Sequence, residues 1–169
     1  MSIRALYQEF RSATATFSPC RTYRYTLTRT WSEQAPTVCW ILLNPSTADE
    51  HKLDPTLRRC LGFSRDWGFG SMVVVNLFAF RSPYPPHVYA ADDPIGPEND
   101  RHIRRMAKKA NKVIVGWGVH GTLLSRGESV ATLVAQCKVQ AWCLGTTKAS
   151  HPKHPLYVAA ATELVKYGI

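Results

Sequence analysis

The sequence alternates between short, largely apolar segments and longer stretches with the residue pattern of helices, and this alternation restricts the possible folds more than any other feature. The apolar segments are residues 37–43, 72–78, 112–117 and 139–144. Strands that lack an apolar–polar alternation are typical of a parallel sheet covered by helices on both faces. The pattern therefore predicts an α/β fold, a three-layer α/β/α sandwich with a four-stranded parallel central sheet.

The remaining elements extend this arrangement within a single domain over residues 1–169. Residues 22–31 alternate between polar and apolar side chains, which predicts one half-exposed antiparallel strand at the edge of the sheet. Helices are predicted at residues 3–13, 55–67, 97–110, 123–136 and 155–166. The second of these helices has Asp54 as its N-cap and Pro55 in its first turn.

The composition argues against several classes of protein. No segment approaches the roughly 20 apolar residues of a membrane-spanning helix, and the first residues lack the apolar core of a signal peptide. A cytoplasmic location is therefore expected. The five cysteines are too dispersed for a zinc or iron–sulfur site, and no glycine-rich phosphate loop follows the first apolar strand. We expect neither a metal nor a cofactor.

The chain is strongly basic, with a net charge of +9 and an isoelectric point near 9.6. In the helix predicted at residues 97–110, basic side chains recur at helical spacing and form one stripe; they are Arg101, Arg104, Arg105, Lys108 and Lys109. Such a stripe is typical of proteins that bind nucleic acid, although a solvated helix face has the same pattern. The candidate DNA-binding residues are Arg101, Arg105, Lys108, Lys148 and Lys153.

Polar and small residues follow each predicted parallel strand at the point where the strand ends. The segments begin at Asn44, Asn76, Gly116 and Gly145. In an open α/β sheet, ligands bind beyond the carboxyl ends of the strands, where the strand order reverses. The sequence thus predicts one site built from four segments, although Asn44 alone also fits an ordinary turn that ends a strand.

The same segments resemble, in chain order, the motifs of the uracil-DNA glycosylase superfamily. LNPS at residues 43–46 is similar to the water-activating motif GQDPYH, or GINPG in the mismatch-specific branch, and Asn76 is similar to the asparagine that reads the base. VIVGWGVHGT at residues 113–122 and HPKHPLY at 151–157 are similar to the LWGSHAQ and HPSPLS segments. The whole chain also resembles a bacterial and phage family of unknown function that carries LNPSTAD, NLFA, GPEND and HPLY motifs.

The resemblance implies a uracil-DNA-glycosylase-like fold and a monofunctional DNA N-glycosylase, which binds a flipped nucleotide and leaves an abasic site. Asn44 would hold the attacking water, and His154 would stabilise the departing base, with His151 as the alternative histidine. Asn76 carries both a donor and an acceptor, so it would match either a uracil-like or a cytosine-like edge. The other residues implied to contact the substrate are Pro45, Ser46, Phe78 and His151.

Ser46 stands where the uracil enzymes have a tyrosine that excludes substituents at pyrimidine C5. The expected substrate is therefore a C5-modified pyrimidine in DNA, such as a hypermodified viral cytosine, which points to antiviral defence. Stacking on the base would come from Phe78 or Tyr84. The alternatives are a uracil or thymine mismatch-repair glycosylase, an enzyme that acts on RNA or free nucleosides, and a non-catalytic module that binds modified bases. The expected partner is DNA, bound by a monomer.

Overall fold

The computed structural model describes residues 10–168, which form a mixed β-sheet with helices on both faces. The described strands are β1 (Ser12–Phe17), β2 (Arg24–Thr30), β3 (Thr37–Leu42), β4 (Ser71–Asn76), β5 (Lys112–Val115), β6 (Ala141–Cys143) and β7 (Val165–Lys166). The described α-helices are α1 (Pro55–Asp66), α2 (Pro85–Ala90), α3 (Asn99–Lys109) and α4 (Arg126–Gln136). Short 3-10 helices span Val119–Ser125 and Pro155–Tyr157.

The described strands form one seven-stranded sheet in the order β1-β2-β4-β3-β5-β6-β7. Its central strands β4, β3, β5 and β6 are parallel, which confirms the predicted parallel core. β2 pairs antiparallel with both β1 and β4, and β7 pairs antiparallel with β6. From β3 the chain moves first to β4 on one side and later to β5 on the other. The strand order therefore reverses between β3 and β5.

Alternate side chains of the parallel strands supply two apolar clusters, one on each face of the sheet. On one face, Cys39 and Ile41 of β3 pack with residues of α3 and α4. On the other face, Trp40 of β3 packs with residues of α1, and its indole N–H donates to Ser64 Oγ over 3.0 Å. The described residues thus form three layers with the sheet in the middle, as the apolar pattern predicts.

The antiparallel part of the sheet differs from the predicted single edge strand. The segment predicted there is β2, which lies between β1 and β4. Arg24 and Arg29 of β2 are only 1% and 2% exposed, because β1 pairs outside them and the loop after β3 contacts their guanidinium groups. The helix predicted at residues 3–13 falls mostly outside the described residues, and its last part, from Ser12, belongs to β1.

The chain after β6 also differs from the prediction, which placed a helix at residues 155–166. The 3-10 helix that begins at Pro155 is followed by extended backbone at Val158 and then by β7. The antiparallel pairing of β7 with β6 is a long-range contact that overrides the local helical pattern. Between β4 and α3, where no helix is predicted, α2 forms with Pro85 in its first turn, a position where proline is compatible with a helix.

The other three α-helices lie where helices are predicted: α1 begins at the predicted Pro55, and α3 and α4 begin later than predicted. α3 begins at Asn99, two residues after the predicted start. α4 begins at Arg126, because Leu124 and Ser125 just before it adopt left-handed backbone conformations. Among the residues that the structure describes, no helix has the length and apolar character needed to cross a membrane.

Candidate active site

A cavity of about 570 Å³ opens at the carboxyl ends of β3, β4 and β5. This is the edge at which the strand order reverses, the usual place of a ligand site in an open α/β sheet. Residues from all four predicted segments line the cavity, among them Asn44, Asn76, Gly118 and His154. The volume lies within the range of about 300–1,000 Å³ that is typical of small-ligand sites.

Residues 43–54 form a loop after β3, the β3 loop, which is held by side chains from β2. The guanidinium of Arg24 donates to the Ala48 carbonyl over 3.0 Å. The guanidinium of Arg29 donates to the Asp49 carbonyl. Buried main-chain carbonyls need donors, and charged donors form the stronger hydrogen bonds. Two buried arginines thereby hold the polar β3 loop in one conformation.

Asn44 lines the cavity, and hydrogen bonds to two main-chain carbonyls engage its amide nitrogen. Its Nδ2 group donates to the main-chain carbonyls of Pro45 and Ser82 over 3.0 and 2.9 Å. Because carbonyl oxygens only accept, these two contacts determine the orientation of the amide. The oxygen Oδ1 is left to accept a hydrogen bond, which suits Asn44 to hold a water molecule.

Asn76 ends β4 and lines the cavity, with Arg24 bonded to its side chain and Asn99 bonded to its main chain. The residue is 2% exposed. Its Oδ1 accepts from the Arg24 guanidinium at 3.4 Å, and its main-chain carbonyl accepts from Asn99 Nδ2 over 2.9 Å. Because a guanidinium only donates, Oδ1 faces Arg24 and the Nδ2 donor remains for a ligand.

Arg24 reaches Asn76 because β2 runs antiparallel to β4. Leu27 lies opposite Val74, so the first residue of β2 comes near the carboxyl end of β4. Arg24 also lines the cavity, and among the described residues its Nε has no hydrogen-bond partner. Burial lowers the pKa of Arg24 to about 10, and attraction to the Asp54 carboxylate opposes this effect. The guanidinium therefore keeps its charge at neutral pH.

His154 is held as an imidazole that donates through Nε2. Its Nδ1 accepts from the Leu156 N–H over 3.2 Å, which places the ring proton on Nε2. Burial lowers the pKa of His154 from its ordinary value, and the Asp54 carboxylate acts in the opposite direction. The neutral ring is thus favoured at neutral pH, and its N–H donor suits the stabilisation of negative charge on a ligand.

Asp54 brings a carboxylate to the same cavity. The residue is 8% exposed, and its Oδ1 accepts from the Leu57 N–H over 2.9 Å, which confirms the predicted N-cap of α1. A carboxylate accepts a proton, which the amide of Asn44 cannot do. The capping role was predicted, but the place of Asp54 in the cavity was not. Within residues 10–168, no three or more histidine, cysteine, aspartate or glutamate side chains are arranged to hold a metal ion.

Residues 145–154 form a loop after β6, the β6 loop, which is held mainly by its own main chain. The Lys153 N–H donates to the Gly145 carbonyl over 3.0 Å. The Thr147 N–H donates to the His151 carbonyl over 2.9 Å, and the His151 N–H donates to Thr147 Oγ1 over 3.2 Å. His151 thus belongs to the turn of this loop, whereas the other candidate histidine lines the cavity.

A main-chain hydrogen bond from Gly118 and a side-chain hydrogen bond from α1 hold the end of the β6 loop and the turn that follows it. The Gly118 N–H, just after β5, donates to the Pro152 carbonyl over 2.9 Å, and the Arg59 guanidinium donates to the Pro155 carbonyl over 3.3 Å. Gly118 has φ +71° and ψ −166°, a region that is essentially restricted to glycine. A Cβ at Gly118 would lie 3.6 Å from the Cβ of His154. Such a separation is an ordinary contact, so the backbone conformation, rather than lack of space, requires glycine at this position.

The other residues predicted to contact the substrate or DNA near the site lie in the cavity wall or in the loops beside it. Ser46 and Lys153 line it. Pro45 is buried and contributes its carbonyl to the position of Asn44. Lys148 is exposed in the β6 loop. The β3 loop therefore contributes a small hydroxyl side chain to the cavity wall at Ser46.

A tyrosine that was not predicted to stack on a base lines the cavity, as does the buried Trp117. Phe78 is 1% exposed and packs in the core, so its ring faces are already covered. Tyr84 is 62% exposed beside α2. Tyr157 is 83% exposed and lines the cavity, with its ring centroid 5.4 Å from that of His154. Tyr157 lies in the HPLY motif, and this motif was the sequence feature that could have indicated its place at the site.

The basic stripe is exposed on α3 and extends along the helix away from the cavity. Its exposed members include Arg101, Arg105 and Lys108. Asn99 at the start of α3 binds the end of β4 near the cavity, whereas Asn111 beyond its end binds Thr37 at the start of β3. At about 1.5 Å per residue, the 11 residues of α3 span about 16 Å between these two edges. Arg101, near the cavity end, pairs with Glu98 over 2.9 Å.

The fold is that of an α/β protein with a cavity of small-ligand size where the strand order of its sheet reverses. The chain belongs to the family described as "Protein of unknown function (DUF1643)", which matches residues 24–156. The matched stretch begins at Arg24 and includes Asn44, Asn76 and His154. None of the curated proteins compared with the chain matches it, and neither does any of the solved structures.

Proposed function

We propose that this protein is a monofunctional DNA glycosylase that hydrolyses the N-glycosidic bond of a C5-modified pyrimidine and leaves an abasic site. One observation carries the proposal: Asn44, Asn76 and His154 line a single cavity with determined hydrogen-bonding directions. The order of the sequence motifs and the position of the cavity at the ends of parallel strands also support a uracil-DNA-glycosylase-like fold.

The proposed reaction starts with a water molecule held at Asn44. The water oxygen bonds to C1′ of the sugar while the bond from C1′ to the base nitrogen breaks, and the electron pair of that bond leaves with the base. Asn44 Oδ1 accepts a hydrogen bond from the water and so orients it. The Asp54 carboxylate takes the proton that an amide cannot accept, and the proton passes finally to the departed base.

The cavity also provides donors for the negative charge that develops on the departing base. The Nε2–H of His154 and the Nδ2 group of Asn76 are both directed by contacts on their other side. The buried charge of Arg24 stands behind Asn76. Donors oriented in advance within a partly buried site stabilise a developing charge more strongly than water does.

The wall near Ser46 and the size of the cavity favour a substituted pyrimidine as the substrate. A volume of about 570 Å³ exceeds what an unsubstituted pyrimidine ring fills, and serine leaves the wall open. The Asn76 donor matches a base carbonyl or the N3 acceptor of cytosine. A polar C5 group that must be hydrogen-bonded permits discrimination of about 10⁴-fold. Because such bases are chiefly viral, the proposal includes a role in antiviral defence.

A panel of oligonucleotides tests the activity and the substrate. The strands contain uracil, thymine opposite guanine, 5-hydroxymethylcytosine or its glucosylated form, and alkali converts any abasic site into a strand break. We expect breaks at the C5-substituted cytosines and fewer at uracil. Preference for uracil would indicate an ordinary repair enzyme. Tight binding of a modified base without any breaks would indicate a recognition module.

Single substitutions test the roles assigned within the cavity. Asn44→Ala and His154→Ala should each lower the excision rate by about 10²–10³-fold, the usual effect of removing an oriented polar group. His151→Ala is the matched control, because it changes a histidine of the same loop that lies in the turn. Full activity in His154→Ala, with loss of activity in His151→Ala, would reverse the assignment of the two histidines.

A further inference from the structure

A second depression, of about 490 Å³, adjoins the cavity. Ser46, Ser82 and Pro83 line both, so the two share a wall. The depression, named the rim groove, also contains three basic side chains, which are Arg21, Lys52 and Arg81. A ligand with one part in the cavity would extend its neighbouring part over these positive charges.

Arg21 and Arg81 lie close together despite their like charges. Both guanidinium carbons lie over the ring of Phe17, 3.8 and 4.6 Å from its centroid. Burial lowers the pKa of Arg81, and the charge of Arg21 adds to this effect. Two cations brought to one ring repel each other, so an anion placed against both would be attracted strongly.

Two carboxylates near the rim groove already have hydrogen-bond or ion-pair partners, one in the main chain and one in the groove itself. Asp49 Oδ1 accepts from the main-chain N–H groups of His51 and Lys52 over 2.8 and 3.0 Å. Glu50 pairs with Arg21 over 3.4 Å, and the Arg21 side chain is 51% exposed. Such exposed pairs contribute little and exchange readily for another anion. With three basic side chains and two carboxylates, the groove keeps a net positive charge.

We propose that the rim groove binds the phosphodiester backbone of the DNA strand whose base enters the cavity. The planar guanidinium groups of Arg21 and Arg81 match phosphate oxygens, and Lys52 adds a third positive charge. Proteins that bind single strands typically combine a basic groove with aromatic rings, and here the adjoining cavity carries the exposed ring of Tyr157. The inference rests on the proposed function, because it takes the cavity to be the base pocket.

The position of the rim groove distinguishes it from the stripe on α3. The groove shares a wall with the cavity, so a strand can place a base in one and the adjacent phosphates in the other. The stripe instead continues toward the opposite edge of the sheet. It remains the surface predicted from the sequence, and one experiment decides between the two.

The experiment measures the binding of a fluorescein-labelled, unmodified single-stranded DNA at several salt concentrations. The double variant Arg21→Gln/Arg81→Gln removes two charges from the rim groove. Arg105→Gln/Lys108→Gln removes two charges from α3 and is the matched control. Each lost phosphate contact to a single strand lowers the log–log salt slope by about 0.7, so we expect the groove variant to lower it by about 1.4. The control should keep the slope of the unchanged protein.

Weaker binding by the α3 variant, with unchanged binding by the groove variant, would overturn the inference and favour the stripe. Failure of the unchanged protein to bind this DNA would also overturn it. The DNA carries no modified base, so the result does not depend on excision. A groove effect without any excision would count against the glycosylase alone. Equal melting temperatures of the variants verify folding, since all four substituted side chains are at least partly exposed.

Discussion

The β3 loop and the β6 loop both bring polar side chains to the cavity, and they are held by different forces. The β3 loop, which carries Asn44, is held by Arg24 and Arg29 from a strand outside the loop. The β6 loop, which ends at His154, is held by main-chain hydrogen bonds within itself and to Gly118. One half of the site thus depends on buried charged side chains, whereas the other half depends mainly on main-chain hydrogen bonds, with Arg59 of α1 supporting the turn that follows.

This difference indicates which substitutions each loop will tolerate. A side chain such as Lys148 projects from the β6 loop without taking part in its main-chain bonds, so its replacement should leave the loop intact. Arg24 lies in a different element from the β3 loop, yet its replacement removes a donor that the loop needs. For the β3 loop, the sensitive positions therefore include residues distant in the sequence.

Arg24→Lys should have the largest effect of the changes considered. Lysine keeps the charge, but its single ammonium group cannot replace a guanidinium that binds Ala48 and Asn76 together. A buried acceptor loses its donor, so we expect the free energy of unfolding to fall by about 2–4 kcal/mol. Urea unfolding followed by tryptophan fluorescence measures this change. Arg105→Lys on the exposed face of α3 is the control. Equal stability of the two variants would contradict the view that a buried arginine holds the β3 loop.

Gly118→Ala should have an intermediate effect, exerted through the backbone of the second half of the site. The φ and ψ of Gly118 exclude most side chains, so the substitution should cost about 1–3 kcal/mol of unfolding free energy. Gly62→Ala is the matched control, because Gly62 lies within α1 and a Cβ there meets nothing within 4 Å. That control should be stabilised by about 0.5–1 kcal/mol. If both variants are stabilised, the conformation of the β6 loop does not depend on glycine at position 118.

The protonation of His154 should have the smallest effect on stability. Burial lowers its pKa in the folded protein below the ordinary 6.5. As the pH falls below 6.5, the unfolded chain therefore binds the proton before the folded protein does, and the free energy of unfolding decreases. The free energy of unfolding should fall more steeply with decreasing pH in the unchanged protein than in His154→Asn, which lacks the imidazole. Above neutral pH the two proteins should show the same pH dependence. Urea unfolding at a series of pH values measures these free energies. If the free energy of unfolding depends on pH in the same way in both proteins, the pKa of His154 is not lowered in the folded protein.

The parallel core could be predicted from the sequence because its signal is local. Each central strand is an apolar run, and the order of strands and helices determines that the strand ends meet at one edge. Asn44 was selected because it follows the strand predicted at residues 37–43, and His154 because it lies in the HPLY motif before a proline predicted to begin a helix. These assignments needed no knowledge of contacts between distant residues.

The part of the site that was not predicted depends on such distant contacts. Arg24 lies in an alternating segment, where an arginine normally faces solvent. Its burial arises from Ala48, 24 residues later, and from Asn76, 52 residues later, and no local pattern reports either contact. The role of Asp54 was hidden for a related reason, because a capping aspartate looks the same in sequence whether or not a cavity lies beside it.

The hydrogen bond from Arg59 to the Pro155 carbonyl, which supports the turn after His154, joins residues 96 positions apart. Closing a chain segment of that length loses conformational entropy before any contact is gained, and proteins rich in such contacts fold slowly. Local helices form on a much shorter timescale. During refolding, the helical signal should therefore return early, and the ability to bind a ligand should return only after the last long segment has closed.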